Sequence, residues 1–394
     1  MRFNIVLSCL FVYCLFPFEN SLVGVLPLII RSFSAILITI LFLYLNRAVI
    51  VISDDLISLY LILICMATIA LFNSFSFRYL VFLISITLGF VVSSVVSINY
   101  DLKSIFIKSL GNIIWLSIIA LVVQILVYNF FNFDFRPHDI LFPFSESRVE
   151  IPTGILENMY RSGGIFIEPG TYANWTYVLL VMYILVSGDR YNVLLIVGGL
   201  SIILTASVWG LFSGIYISIF IFCAWLKSLE FSSQTSKVIF TGLTLIVLSS
   251  VFINNLNHDL FSFAEKKLLG ESTSVISKHD VYNDFLIDID QFVLSGEGFS
   301  RTFRKGKVAV QDAGLLVNFA IVFGLVFTGL FMALLIYICL KKGRYFELIL
   351  SAPILLSKLF YWDFTFWLWF FLMLTSFTGQ VADQKNINYS NSPS

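Results

Sequence analysis

The chain has 394 residues, of which 59% are hydrophobic and 12% charged, and its 24 Lys and Arg balance 24 Asp and Glu. Soluble domains carry about twice that charge fraction, so a string of globular domains is excluded and one polytopic membrane domain is expected. Zero net charge offers no bulk field for nucleic acid, and no nucleic-acid partner is expected.

A spanning helix needs about 20 apolar residues. On that rule the spans fall at 3–18, 27–46, 55–72, 79–98, 105–131, 171–187, 191–208, 210–227, 237–255, 313–340, 344–359 and 361–379. The first begins with Arg2 and an apolar run, with no small-residue cleavage site before Glu19, so it reads as an uncleaved helix. The five cysteines, Cys9, Cys14, Cys65, Cys223 and Cys339, lie in apolar runs without a CxxC pair, which argues against disulfide frameworks and structural metal. The expected fold is an all-α polytopic membrane protein of about 12 transmembrane helices. It forms a single transmembrane domain over 1–380 and is followed by a polar, disordered cytoplasmic tail, 381–394.

Lys and Arg of the short connections set orientation. Arg2, Arg47, Lys103, Arg190, Lys227, Lys237, the Lys341–Arg344 cluster and Lys385 share one side, whereas Arg31, Arg78 and Lys358 share the other. Both termini are therefore expected in the cytoplasm, with two long external loops at about 132–170 and 256–312. The first carries aromatics and prolines (FNFDFRPHDILFPF). The second contains Ser277-Lys-His-Asp280, a capping-box pattern, followed by Val281, Phe285 and Ile289 at four-residue spacing. That pattern predicts an amphipathic helix with one apolar stripe, whose other face carries Asp280, Asp284 and Asp288.

Two polar islands enter spans from these loops. Residues 161–175 read RSGGIFIEPGTYANW. Gly163 and Gly164 permit tight backbone near a ligand, Pro169 suits a first helical turn, and Glu168 precedes it where the helix dipole favours an anion. Two readings are open: Glu168 caps the sixth span and Arg161 is a surface charge, or the two form a site. Residues 296–314 read GEGFSRTFRKGKVAVQDAG. Here Arg301, Arg304, Lys305 and Lys307 follow the glycines Gly296 and Gly298. Arginine forks can neutralise a diphosphate, and an external basic patch can equally face anionic lipid. Asp312 stands at the start of the tenth span as either a cap or a proton acceptor. His279 is a candidate base or a solvated helix-start residue, and His138 and His258 have weaker contexts. The Asp280, Asp284, Asp288 face reads as solvated rather than metal-binding. No HExxH, Walker A, GxSxG or dinucleotide fingerprint occurs in a supporting context, so no cofactor and no metal is expected.

Arg161, Gly164, Phe166, Glu168 and Pro169, then Gly296, Gly298, Phe299, Arg301, Arg304, Asp312 and Gly314, resemble the O-antigen polymerase and ligase superfamily. The span layout and the two long loops extend the resemblance along the whole chain. The ligase branch keeps a His in the later loop close to the next span, whereas His279 stands well before Asp312, so the polymerase branch matches better. The resemblance implies polymerisation of undecaprenyl-diphosphate-linked repeat units at the outer face of a bacterial inner membrane, in lipopolysaccharide or related surface-polysaccharide biosynthesis. Lipid-linked glycan would be both donor and acceptor, the bilayer the solvent, and a chain-length regulator and a flippase the companions. Arg161, Arg301 and Arg304 would hold the diphosphate, and Glu168, Asp312 or His279 would accept the proton. The rival readings are an O-antigen ligase and a flippase of the same lipids. Matching halves, short external loops and midplane charges would favour the flippase, and they are not evident here.

Reporter fusions near residues 145 and 285 should score external and one near 342 cytoplasmic. An external score at 342 would invert the topology and put both polar islands on the inner face.

Overall fold

The computed structural model describes residues 2–15, 33–34, 36–38, 40, 54–73, 78–98, 100–141, 160–228, 283, 285–287, 289–294, 296–299, 302–303, 308–309, 314–357, 359 and 362–375. The ninth expected span, most of the second and the tail lie outside them, as do Asp280, Asp284 and Asp288. Regular elements among the described residues are helices, apart from one antiparallel pair, β1 (Thr302–Phe303) with β2 (Val308–Ala309). In chain order the helices are α1 (Arg2–Leu15), α2 (Asp54–Asn73), α3 (Arg78–Ile98), α4 (Tyr100–Phe131), α5 (Pro137–Leu141) and α6 (Pro169–Ser187). They continue with α7 (Val193–Leu204), α8 (Val208–Ser228), α9 (Leu315–Phe323), α10 (Leu325–Lys341), α11 (Tyr345–Leu356) and α12 (Phe364–Leu374).

Four stretches are long and apolar enough to cross a bilayer: Asp54–Phe72, Arg78–Ser97, Asp101–Phe131 and Val208–Lys227. In α4 the exposed positions Leu116, Ile119, Val123, Leu126 and Phe130 recur every three or four residues. The opposite stripe, Leu110, Ile114, Ser117, Leu121 and Gln124, is buried. A helix whose outward face is apolar has hydrocarbon as its natural solvent, and this fits the membrane class read from composition.

Other expected spans differ from simple crossings. α7 has 12 residues and α12 has 11, about 18 and 16 Å at 1.5 Å per residue, against a hydrocarbon core of about 30 Å. The tenth span is two helices, α9 and α10, parted at Gly324, whose φ of 93° and ψ of 159° leave the helical region. This break frees carbonyls and amides in an apolar setting, and the 293–298 backbone meets them. The amides of Glu297 and Gly298 donate to the Ile321 and Val322 carbonyls at 2.7 and 3.2 Å, and the Val326 amide donates to the Val293 carbonyl at 3.0 Å. Gly296 lies so close to this break that a Cβ there would fall 2.3 Å from the Ile321 oxygen.

α12 is buried on every side and packs most extensively on α3. Small residues permit the approach. The Ser85 hydroxyl donates to the Trp362 carbonyl at 2.8 Å, and one turn on, a Cβ at Gly89 would meet the Trp367 Cβ at 2.8 Å. Such small-xxx-small contacts are how helices associate where solvent gives no hydrophobic drive. The ends of α12 are tied down by side chains. Asp363 accepts from the Thr365 amide at 2.8 Å. Arg344 donates to the Met373 carbonyl, and Lys342 to that of Leu374 at 3.1 Å. Lys341 pairs with Asp55 at 3.1 Å. The start of α2, the α10–α11 turn and the end of α12 thus share one end of the bundle, as the charge distribution requires if all three lie on one side. Arg78, stacked 4.6 Å over Trp362, marks the opposite end.

Of the expected amphipathic stripe, Phe285 is buried whereas its neighbours Leu286 and Ile287 are exposed. Replacing Gly89 by Val should force α3 and α12 apart at backbone contact, costing about 1–3 kcal/mol of overpacking. The expected readout is a lower midpoint of heat-induced aggregation in detergent and reduced membrane abundance. An unchanged midpoint would mean that the two helices do not meet at Gly89.

Candidate functional site

α6 occupies the middle of the bundle, packing against α4, α7, α8, α11 and α12. Its first turn is fed by the segment 160–168, which carries Arg161, Gly163, Gly164 and Glu168. That segment inserts beside α4. The Gly164 backbone, at φ +59°, comes so near that a Cβ would lie 3.2 Å from the Leu121 amide nitrogen. Leu121 stands ten residues before the end of α4, a descent of about 15 Å along the helix.

Irregular backbone among apolar helices needs its amides and carbonyls paired internally. Here α4 supplies Gln124, buried in an otherwise apolar stretch. Its side-chain oxygen accepts from the Gly164 amide at 2.8 Å and from the Ser162 hydroxyl, and its Nε2 donates to the Tyr160 hydroxyl at 3.0 Å. Tyr160 stacks on Tyr128 with ring centroids 3.9 Å apart and donates to Asp134 at 2.6 Å. Burial, then the bond to Asp134, raises the Tyr160 pKa, so the phenol stays protonated and keeps donating. Asp134 is held by Arg136 at 2.6 Å. From the short helix α5, the buried His138 donates its Nδ1 hydrogen to the Ile165 carbonyl at 3.0 Å. The Phe166 amide closes a turn on the Gly163 carbonyl at 3.0 Å.

Arg161 is 7% exposed, so it is not a surface charge. Burial lowers its pKa and the charge of Glu168 raises it in opposition, which puts the two groups within electrostatic reach of each other. Glu168 occupies the N-cap position of α6, yet its side chain makes no bond to a helix amide. It accepts instead from the Thr171 hydroxyl at 3.3 Å. The carboxylate is therefore not consumed by capping.

The structure thus brings together Arg161, Gly163, Gly164 and Glu168. Gly296 and Gly298 sit at the α9–α10 break, with Phe299 against Tyr79 and Phe82 of α3. Their described contacts are with helix backbone. Arg301, Arg304, Asp312 and His279 fall outside the described residues. Sequence reasoning missed Gln124, Tyr160 and Asp134 and undervalued His138. One signal was present: a lone glutamine inside a 32-residue apolar helix, since polar groups at membrane depth are costly and normally have a function. Compared with family models, curated proteins and solved structures, the chain matches none.

Gln124→Leu would remove the partner of the Gly164 amide and of two hydroxyls, each loss costing about 1–3 kcal/mol where water cannot replace it. Hydrogen exchange of amides 160–166 in nanodiscs should then accelerate at least tenfold while the amides of α12 keep their protection. Unchanged exchange would show that the segment is held by something other than Gln124.

Proposed function

We propose that the chain polymerises undecaprenyl-diphosphate-linked oligosaccharide repeat units into O-antigen or a related surface polysaccharide at the outer face of a bacterial inner membrane. The carrying observation is the buried Arg161 within electrostatic reach of Glu168, a carboxylate that does not cap its helix, in a segment inserted about 15 Å along α4. A cation with burial imposed on it stabilises a neighbouring anion far more than a surface cation does. In the proposed step an acceptor hydroxyl attacks the anomeric carbon of the donor. The bond from that carbon to the diphosphate oxygen breaks, and the lipid diphosphate leaves with the electron pair. Arg161 stabilises the charge gathering on the diphosphate, joined by Arg301 and Arg304. Glu168 takes the hydroxyl proton, with Asp312 and His279 as the other candidates for that role. The apolar outward faces of α4 and α8 supply lipid-facing surface for the undecaprenyl chains.

One observation favours flipping of the same lipids as a second reading: α9 and α10 form a discontinuous helix, a device transporters use around their substrates. Against it, the carbonyls of Ile321 and Val322 are occupied by the amides of Glu297 and Gly298, so that part of the break does not line a path. A deletion strain separates the two. Single-repeat glycan without longer bands supports polymerisation, and loss of every band with cytoplasmic build-up supports flipping.

The arginine account needs no divalent ion. Purified protein given lipid-linked repeat units should build long glycan in excess EDTA, and Arg161→Lys should lose at least tenfold of that activity, because an ammonium cannot present a planar fork to phosphate oxygens. Activity that vanishes with EDTA and returns with magnesium would sink the account, as would a fully active lysine variant.

A further inference from the structure

α4 carries no charged residue between Lys108 and its end at Phe131. That uncharged stretch, 109–131, rises about 34 Å, slightly more than a hydrocarbon core of about 30 Å. The last turn of α4 therefore stands where hydrocarbon gives way to headgroups. Asn132 ends the helix there. Its φ is +51°, and its amide donates to the Tyr128 carbonyl at 2.9 Å, a left-handed cap. The chain then runs through 133–136 into α5.

The side chains of 129–141 divide by polarity. The polar ones are engaged within the chain. Asn129 donates to the Ile125 carbonyl at 2.9 Å, and Asp134 accepts from Tyr160 and pairs with Arg136. His138 donates to the Ile165 carbonyl. The apolar ones are left outside: Phe130 and Phe131 are 77% exposed, and Phe133, Ile140 and Leu141 at least half exposed. Large apolar side chains are rarely left together in water, and such a patch marks a partner. Phe130 also belongs to the outward stripe of α4 with Val123 and Leu126, so the exposed face continues a surface whose solvent is hydrocarbon.

We infer that residues 130–141 form an anchor in the bilayer interface at this end of α4, with lipid as the partner of Phe130, Phe131, Phe133, Ile140 and Leu141. Depth and continuity both select lipid, and lipid asks for no hydrogen bond from side chains already engaged elsewhere. Apolar residues lying in the boundary beside paired polar groups are the pattern of an interfacial anchor rather than a crossing. The anchor bears on the candidate site. Asp134 holds Tyr160 and His138 holds Ile165, on either side of Arg161 in the chain. Gln124 fixes the inserted segment to α4, and 130–141 fixes it to the membrane surface. The bilayer thus sets the depth of Arg161. This inference does not rest on the polymerase reading, since it needs only a membrane and the contacts of 160–165.

Footprinting of the full-length protein in phosphatidylcholine vesicles tests it with two reagents, a carbene precursor that partitions into hydrocarbon and hydroxyl radicals made in water. Modification at each site is scaled to that of the same peptide from unfolded protein. Carbene labelling of Phe131 and Ile140 should come within about threefold of Val123 on the α4 stripe. Their oxidation by hydroxyl radicals should be at most about one tenth of that at Tyr191, an exposed aromatic in the connection before α7. Oxidation equal to that of Tyr191 would put the face in water and overturn the anchor. Protection from both reagents would mean that protein covers the face, and would overturn lipid as the partner. Two double variants test the control of depth through hydrogen exchange of amides 160–166. Phe131→Ser with Ile140→Ser should accelerate that exchange at least fivefold. Phe131→Leu with Ile140→Leu should leave it unchanged, because lipid requires apolarity and no particular shape. Equal exchange in wild type and the serine pair would overturn the control of depth. Acceleration in the leucine pair as well would mark a shape-specific protein contact and overturn the lipid assignment.

Discussion

Backbone that leaves the helix inside an apolar bundle must find every hydrogen-bond partner within the protein, and this constraint organises the rest of the structure. It acts in three places. The 160–168 segment leans on Gln124 and His138. The break at Gly324 is closed by main chain of 293–298. The short helix α12 is tied at its start by Asp363 and at its end by Arg344 and Lys342. Apart from Asp363, which caps its own helix, the partner in each case comes from a segment well removed in sequence. An unpaired amide or carbonyl there costs several kcal/mol, comparable to a sizeable part of a domain's net stability, so these partners are not ornamental.

The same constraint bears on the buried Arg161, which has the charge of Glu168 within electrostatic reach. A guanidinium taken out of water suffers a large desolvation cost, only partly repaid by a nearby carboxylate. The cost is tolerated when surrounding structure fixes the segment, and the Gln124–Tyr160–Asp134–Arg136 chain does so by linking the inserted backbone to a polar group beyond the end of α4. Its members are neutral near the segment and charged at the far end. That order keeps formal charge away from α4 while still transmitting a rigid anchor, because each donor has its acceptor already in place.

Much of the membrane character was legible in the sequence, and the reason is simple. Apolar runs such as 55–72, 79–98, 105–131 and 210–227 report transfer energy summed over many residues, which tolerates local error. Arg161 and Glu168 stood out as ionisable groups at the head of an apolar run, but the burial of Arg161 was not legible, because it depends on how the 160–168 segment seats beside α4. The break at Gly324 was not. It lies in a continuous apolar stretch, and what permits it is main chain some 30 residues earlier, which hydropathy does not register. Gln124 was visible as an oddity but not as an anchor, because its partners Ser162 and Gly164 come from another segment. His138 looked unremarkable for a related reason: its significance lies in one carbonyl, that of Ile165, and carbonyls carry no sequence label.

Hydropathy also misranks the helices by importance. α4 and α8, with the strongest claims to cross a bilayer on length and composition, expose Ile and Leu outward. α6 has 19 residues, enough in length, but begins PGTYANWTY and falls outside the apolar set. Its polar half is nevertheless compatible with membrane depth, because α4, α7, α8, α11 and α12 surround it and stand between its polar groups and hydrocarbon. The Tyr172 hydroxyl donating to Ser201 at 2.8 Å, and that of Tyr177 to the Leu350 carbonyl at 2.7 Å, show the consequence. Polar groups on the central helix are paid for by neighbours, whereas those on a lipid-facing helix would have none. Polar residues at the centre of such a bundle are thus sustained by the helices around them, which is why hydropathy of a single segment cannot rank α6 by its place in the fold.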